Sequence, residues 1–414
     1  MNWFYRLGLF VLSVLLPVAG IFSPKVRHFL KGRQSVFREL IEFRKLNSGP
    51  LAWFHVASLG EYEQARPVIA ELKKTRPELK IAVSFFSPSG YDNVIKRTQP
   101  NVDFITYLPL DRKRLAVRFV EIMKPELAFF VKYDLWPQHI LALNAAKIPI
   151  FLVSASFRSD HIYFRSNGFF RKILFELDYI FTQNQQSIDL LKSIGFEQAE
   201  IAGDTRFDRV MATASNPKEF PEIKKWVGDK TTIVVGSAWE EDMKILIPVI
   251  NSRPDYRWII APHDLNPQPM KTWANSISLN SSRYSHWDKS SSVEVLFIDN
   301  IGMLSSLFQF AKVGYVGGAF GKGLHNILEP VGFGLPVIFG KMKKSEKFPE
   351  AAQSQREGCG FEVENELTLR AVFEKLEQED FYKKSSESAR IWVNSNLGAA
   401  GKIIEKVNKL MLRK

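Results

Sequence analysis

In the last quarter of the chain, residues 317–330 read GGAFGKGLHNILEP, which puts glycines, a histidine, an asparagine and a carboxylate into one short stretch. The apolar run at 312–316 before it has the pattern of a buried strand, and glycines after a strand let the backbone pass close to a ligand. His325, Asn326 and Glu329 fall at spacings that open a helix, with Asn326 and Glu329 three apart on one side of its first turn. A carboxylate there can grip paired sugar hydroxyls, while free N–H groups and the helix dipole favour an anion. A nucleotide sugar presents both. The same residues also read as an asparagine cap with a first-turn glutamate, as many helices have.

Other chemistry-bearing residues follow apolar runs in the same way. Residues 52–56 lead into Ala57-Ser58-Leu59-Gly60-Glu61, which places Glu61 at a helix start within reach of a substrate hydroxyl. As a general base it would accept the proton of an attacking hydroxyl. It also reads as a first-turn carboxylate held ionised by the dipole, which would make it a weaker base. Ser87-Pro88-Ser89-Gly90 can present N–H groups to an anion or simply turn the chain. Lys132 and Asp134 stand before Trp136-Pro137, with Trp136 read as packing. Arg206, in Gly203-Asp204-Thr205-Arg206-Phe207-Asp208, could meet phosphate charge or make an interdomain salt bridge. Pro262-His263-Asp264 ends one apolar run, and Gly302 follows another at a helix start suited to ribose or phosphate. The His263–Asp264 pair lacks the spacing of a three-ligand metal site, so no metal is expected.

The elements that must position these residues form two series. Short apolar runs at 52–56, 81–86, 127–131, 150–153 and 179–182 alternate with amphipathic stretches such as 63–74 and 115–123. A second set lies at 232–235, 258–261, 293–298, 313–316 and 336–339. Continuous apolar strands separated by helices indicate parallel sheets covered on both faces. Two series imply two Rossmann-like domains with a cleft between them. The polar segment 202–221, with Asn216, Pro217 and Pro221, is expected as the linker, and the serine-rich 276–292 as a surface excursion. The expected division is 1–33, 34–210 and 211–414.

With 414 residues, 45% hydrophobic and 24% charged, the chain is a folded protein rather than a disordered one. Its single cysteine, Cys359, excludes an intrachain disulfide and a cysteine metal cage. The net charge is +12, and no acid precedes Glu39, whereas Arg6, Lys25, Arg27, Lys31, Arg33 and Arg38 do. No nucleic-acid motif accompanies this charge; anionic lipid or a phosphorylated glycolipid suits it better. Residues 7–23, LGLFVLSVLLPVAGIFS, carry no charge and are slightly short for a spanning helix, with Trp3, Phe4 and Tyr5 extending them. An anchor, a cleaved signal peptide with Ala19 and Gly20 near its end, and a core helix all fit. The basic cluster directly after the run favours an anchor with the body on the cytoplasmic face.

Together these stretches resemble the bacterial 3-deoxy-D-manno-octulosonic acid (Kdo) transferases over nearly the whole chain. Residues 55–61 are similar to the family's Ser-x-Gly-Glu loop, and Leu135-Trp136-Pro137 to its Glu-Leu-Trp-Pro segment. Val153-Ser154-Ala155-Ser156, residues 203–208, Gly236-Ser237, 298–304 and 317–330 match in order. The resemblance implies the B-type glycosyltransferase fold, an acceptor domain first and a CMP-Kdo domain second, and an amino-terminal membrane anchor. It makes Glu61 the general base and puts Arg206 where the family has a transition-state lysine. Pro262, His263, Gly302, Met303, Leu304, Asn326, Ile327, Leu328 and Glu329 fall on CMP-contacting positions. Two departures stand out: Pro262-His263-Asp264 replaces Pro-Arg-His, and Lys132 replaces one of two usual glutamates while Asp134 keeps the other.

The expectation is an inner-membrane-anchored, inverting glycosyltransferase that moves Kdo from CMP-Kdo to a lipid A precursor. It would use neither cofactor nor metal and would have no nucleic-acid partner. Another two-domain glycosyltransferase with a different nucleotide sugar, or a membrane-attached interaction protein of the same fold, are the rival expectations.

Overall fold

The computed structural model describes residues 2–165, 168–321, 323–343 and 347–412. The chain divides into two compact units, residues 1–209 with 398–414, and residues 210–397. Each is built on a seven-stranded parallel sheet.

In the first unit the strands are β1 (Leu51–Val56), β2 (Lys80–Phe85), β3 (Phe104–Tyr107), β4 (Leu127–Val131), β5 (Ile150–Ala155), β6 (Tyr179–Thr182) and β7 (Ala199–Ile201). They are ordered β3-β2-β1-β4-β5-β6-β7. Successive residues of a strand point to opposite faces, and here both faces are covered. Trp53 packs with Phe119, Phe130 and Leu143 on one side. Its neighbours Phe54 and Val56 pack with Phe129, Val68 and Leu72 on the other. That two-sided burial is why the strands read as unbroken apolar runs.

The second unit contains β8 (Thr232–Ala238), β9 (Arg257–Pro262), β10 (Ser281–Arg283), β11 (Val295–Phe297), β12 (Val313–Val316), β13 (Val337–Gly340) and β14 (Gly360–Val363). Their order is β10-β11-β9-β8-β12-β13-β14. Ile233 and Val235 face one core, with Trp258 and Phe373, while Val234 faces another, with Leu307 and Phe308. Both sheets change winding direction once: between β1 and β4, and between β8 and β12. Ligands of doubly wound sheets bind outside the carboxyl ends of strands at such a switch point.

Three expectations need correction. Residues 205–215 of the expected linker form the helix Thr205–Ser215, with Phe207 and Val210 buried; the break comes only at 216–220, before the helix Pro221–Val227. The serine-rich excursion contains β10. The final helix, Ala399–Met411, was assigned by sequence to the second domain but packs in the first unit. There Ala400, Ile403, Ile404 and Val407 complete the core around Val68 and Leu72. Asp208 fixes its start, accepting from Gly398 N at 2.6 Å and Ala400 N at 2.8 Å.

The apolar amino-terminal segment forms the helix Asn2–Phe22, and Trp3–Phe22 is long and apolar enough to cross a membrane. The shorter helix Pro24–Lys31 folds back on it: Arg27 bonds the carbonyls of Gly20 (3.0 Å) and Ile21 (2.8 Å).

Candidate functional site

At the β1/β4 switch point of the first unit, Glu61 occupies the first turn of the helix Leu59–Thr75. The residue is 9% exposed, and its carboxylate accepts from Ala57 N at 2.5 Å. The sequence offered two readings of Glu61, a general base and a first-turn carboxylate kept acidic by the helix dipole. Burial wins instead, and with the nearby negative charge of Asp134 it raises Glu61 to about 7, against the opposing pull of the Ala57 N–H and Lys132. Gly90 makes this loop possible from the neighbouring helix Pro88–Ile95, since a Cβ there would stand 3.0 Å from Leu59 N.

Asp134 is held by a chain of hydrogen bonds running out of the core. Trp53 Nε1 donates to Ser84 Oγ (2.8 Å), Ser84 Oγ meets His55 Nδ1 (2.9 Å), and His55 Nε2 meets Asp134 Oδ2 (3.1 Å). The Asp134 carboxylate can only accept, so Nε2 carries the proton of the neutral ring, and Nδ1 then accepts from the Ser84 hydroxyl. His55 is buried, and burial lowers its pKa, so the ring stays neutral in this role. Trp136 adds a second bond to Asp134 Oδ2 at 3.0 Å, so this tryptophan does more than pack. Lys132 (φ +60°) and Ser154 (φ +53°) lie in the left-handed region at the carboxyl ends of β4 and β5. Non-glycine residues hold that conformation at a cost of about 1–3 kcal/mol, and such strain gathers at functional sites.

Arg206 is engaged locally. Its guanidinium pairs with Asp204, at 2.8 Å through Nε and 2.7 Å through Nη2. This is a salt bridge within the first unit, not between domains, and it sets a carboxylate beside the expected transition-state cation.

In the second unit the β8/β12 switch point brings together Trp239, Asp242, the 317–329 stretch and, from the end of β9, His263. Trp239 stacks on His263 with ring centroids 4.3 Å apart, and His263 lies 4.5 Å from the His325 ring. Trp239 Nε1 donates to His325 Nε2 at 3.2 Å, which requires that nitrogen unprotonated. Burial and the neighbouring His263 push His325 down to about 4, in agreement with that bond. The buried Asp242 accepts from Trp239 N (3.0 Å), Gly318 N (2.9 Å) and the Tyr315 hydroxyl (2.9 Å). It therefore ties the two strand ends together. Ser237 there also has positive φ, at +52°.

The glycines after β12 serve the protein before any ligand. A Cβ on Gly317 would stand 2.5 Å from both Asp242 and the Ser237 carbonyl, and Gly318 (φ +95°) would meet the Gly323 carbonyl at 2.4 Å. The helix expected to open at His325 is only Leu328–Gly332, and the one after Gly302 is only Leu304–Leu307. Neither is long enough to supply the dipole argument made from sequence. Asn326 Oδ1 accepts from Leu328 N (3.2 Å), and its amide lies 3.5 Å from Glu329. Met303, Ile327 and Leu328 bury their side chains, and Leu304 packs on Gly236. Pro262 ends β9 and His263 follows it, Asn326 stands on the loop after β12, Glu329 lies in the first turn of the helix Leu328–Gly332, and Gly302 follows β11. Trp239, Asp242 and His55 were missed: their roles depend on partners 76 residues away for Asp242–Gly318 and 79 for His55–Asp134.

This architecture is that of a two-domain, B-type glycosyltransferase. Solved structures share it: UDP-GlcNAc 2-epimerase from Neisseria meningitidis, bound to UDP-GlcNAc, superposes with a TM-score of 0.63 at 18% identity, covering 87% of this chain and 99% of that one. MurG of Acinetobacter baumannii gives 0.55 at 12% identity, over 87% and 99%. At those identities they speak for the fold alone. The family model described as 3-deoxy-D-manno-octulosonic-acid transferase (Kdo transferase) matches residues 32–209, a stretch that includes Glu61, Asp134 and Arg206. The Kdo transferase of Aquifex aeolicus is 28% identical over 328 residues, 77% of this chain and 83% of its own. That of Chlamydophila psittaci is 26% identical over 330 residues, 77% and 76%. A bifunctional glycosyltransferase/methyltransferase of Fusobacterium nucleatum is 26% identical over 400 residues, 93% of this chain but 62% of the relative's length. The protein is thus similar to the Kdo transferases, and residues 32–209 match that family's model.

Proposed function

We propose that the protein transfers Kdo from CMP-Kdo to a hydroxyl of a lipid A precursor, with inversion at the anomeric carbon and without a metal. The observation that carries this is Glu61: a buried carboxylate at a sheet switch point, inside the matched family stretch, raised to about 7. A base is most useful when its pKa lies near the working pH. Glu61 takes the acceptor hydroxyl's proton as that oxygen bonds the anomeric carbon, and the bond to CMP breaks with its electron pair leaving on the phosphate. Asp134, fixed through His55 and Trp136, keeps negative charge beside Glu61 and so keeps it basic. In the second unit Glu329 and Asn326 hold the ribose, and the Trp239–His263–His325 rings offer a flat surface to the base. Arg206 meets the departing phosphate only by exchanging Asp204 for it.

The helix Asn2–Phe22 and the basic residues after it hold the body at the cytoplasmic face of the inner membrane, where a lipid acceptor resides. Incubation with CMP-Kdo and a tetraacyl lipid A precursor, followed by product mass, tests the whole reading. Absence of product from folded protein overturns it. Thermal protection by UDP in preference to CMP would instead indicate a different nucleotide sugar.

A further inference from the structure

The apolar helix Asn2–Phe22 has two sides. Its sheltered positions are Tyr5, Leu9, Ser13, Leu16 and Gly20, at spacings of four, four, three and four. At about 100° per residue they form one stripe along the full length. Phe4, Leu7, Val11, Leu15, Val18 and Phe22 form the opposite stripe and are exposed. The sheltered stripe touches the body at both ends. Near the start, the Tyr5 hydroxyl donates to Asp111 Oδ2 at 2.6 Å and its ring packs on Phe169 and Phe170. Near the finish, Gly20 lies against Leu30 and Arg27 of the helix Pro24–Lys31, which is itself joined to the body through Phe29 on Phe86 and Arg33.

Tyr5 and Phe22 are 17 residues apart, about 25 Å along a helix, close to the ~30 Å thickness of a bilayer's hydrocarbon. A helix crossing that layer upright would carry Tyr5 to the far side, beyond reach of Asp111. Asp111 belongs to the folded body, where it also binds His139 Nδ1 at 2.7 Å and the N–H groups of Gln138 and His139. Resting on the membrane-attachment reading above, we propose that this helix does not span. It lies along the first unit and dips its exposed stripe into one leaflet of an anionic bilayer, leaving both its ends on the side of the body. Charge agrees: exposed Arg6, Lys25 and Lys31 belong to the two paired helices, and exposed Arg112 reaches over Phe10 at 5.9 Å, next to Lys113 and Arg114. Such a basic frame around an apolar stripe is what an interfacial helix needs.

The test uses full-length protein in inverted inner-membrane vesicles, whose cytoplasmic face is outward, and a membrane-impermeant maleimide. The native Cys359 is buried and serves as the blank. Asn2→Cys should be modified without detergent, as fast as the exposed body control Lys402→Cys. Protection of Asn2→Cys until detergent is added, with Lys402→Cys freely modified, means that the helix spans, and the inference falls while membrane attachment stands. Flotation of the purified protein on phosphatidylglycerol-containing vesicles is the second measurement. Val11→Asp with Val18→Asp, on the exposed stripe, should abolish flotation without changing the melting temperature. If the parent protein fails to float, the attachment reading itself falls and takes this inference with it.

Discussion

Glu61 is a residue whose usefulness and cost have one origin. Burial raises it to about 7, so the deprotonated form needed for proton transfer accumulates only as pH rises through that value, and kcat/KM should rise with it. Stability should move the other way. Between the ordinary value near 4.5 and about 7 the native state keeps a proton that the unfolded state has lost, so native stability falls as pH rises across that window. Glu61→Gln should therefore lower transfer by ~10²–10⁴ and yet melt higher than the parent at pH 8, with the gap closing by pH 5. Retained activity, or a lower melting temperature at pH 8, would contradict the assignment. Glu329→Ala should weaken CMP binding by about 1.5–3 kcal/mol, the worth of a hydrogen bond to a charged group; equal calorimetric affinities would leave Glu329 with no part in holding ribose. The carboxylates at 61 and 329 were visible in the sequence because local turn chemistry marked them. The value near 7 was not, because it depends on the walls around Glu61 and on Asp134, neither of which lies in its own turn.

At the level of strands, legibility followed burial. All ten apolar runs became strands, because interior strands are covered on both faces and show it as continuous hydrophobicity. The four that went unread, β3, β7, β10 and β14, are the four edges of the two sheets. Edge strands are short and have one neighbour, so Ser281–Arg283 or Ala199–Ile201 need no apolar run at all. The linker was misplaced for a related reason: the helix Thr205–Ser215 is mostly polar and buries only a few of its residues, so its turn signals begin only at Asn216. The loops at the second switch point are set by Asp242, whose partners are the cap of its own helix, β12 and the loop directly after β12. Asp242→Ala leaves the N–H groups of Trp239 and Gly318 and the Tyr315 hydroxyl without their acceptor. We expect a loss of about 1–3 kcal/mol in denaturant unfolding together with weaker CMP binding. Unchanged CMP affinity in the destabilised variant would show that the loop's position does not matter to the ligand.

For the whole molecule, removal of residues 1–23 should leave a folded, soluble body that still binds CMP, since the first strand of either sheet starts no earlier than Leu51. Lys25, Arg27 and Lys31 remain, and at about 1 kcal/mol per basic residue they give only a salt-sensitive membrane association. Full-length protein should stay in the membrane fraction in high salt while the truncated form washes off; release of both alike would deny the apolar helix an anchoring role. The helix Ala399–Met411, bound to Asp208 and covering Val68 and Leu72, carries a further consequence, for biosynthesis. Translation delivers the second unit, residues 210–397, as one uninterrupted piece, whereas the first unit lacks part of its core until the helix Ala399–Met411 emerges. The nascent first unit must wait, with an apolar surface uncovered, while a complete later domain folds ahead of it on the ribosome. On the proposed attachment, its earliest company during that wait is the bilayer that receives the helix Asn2–Phe22.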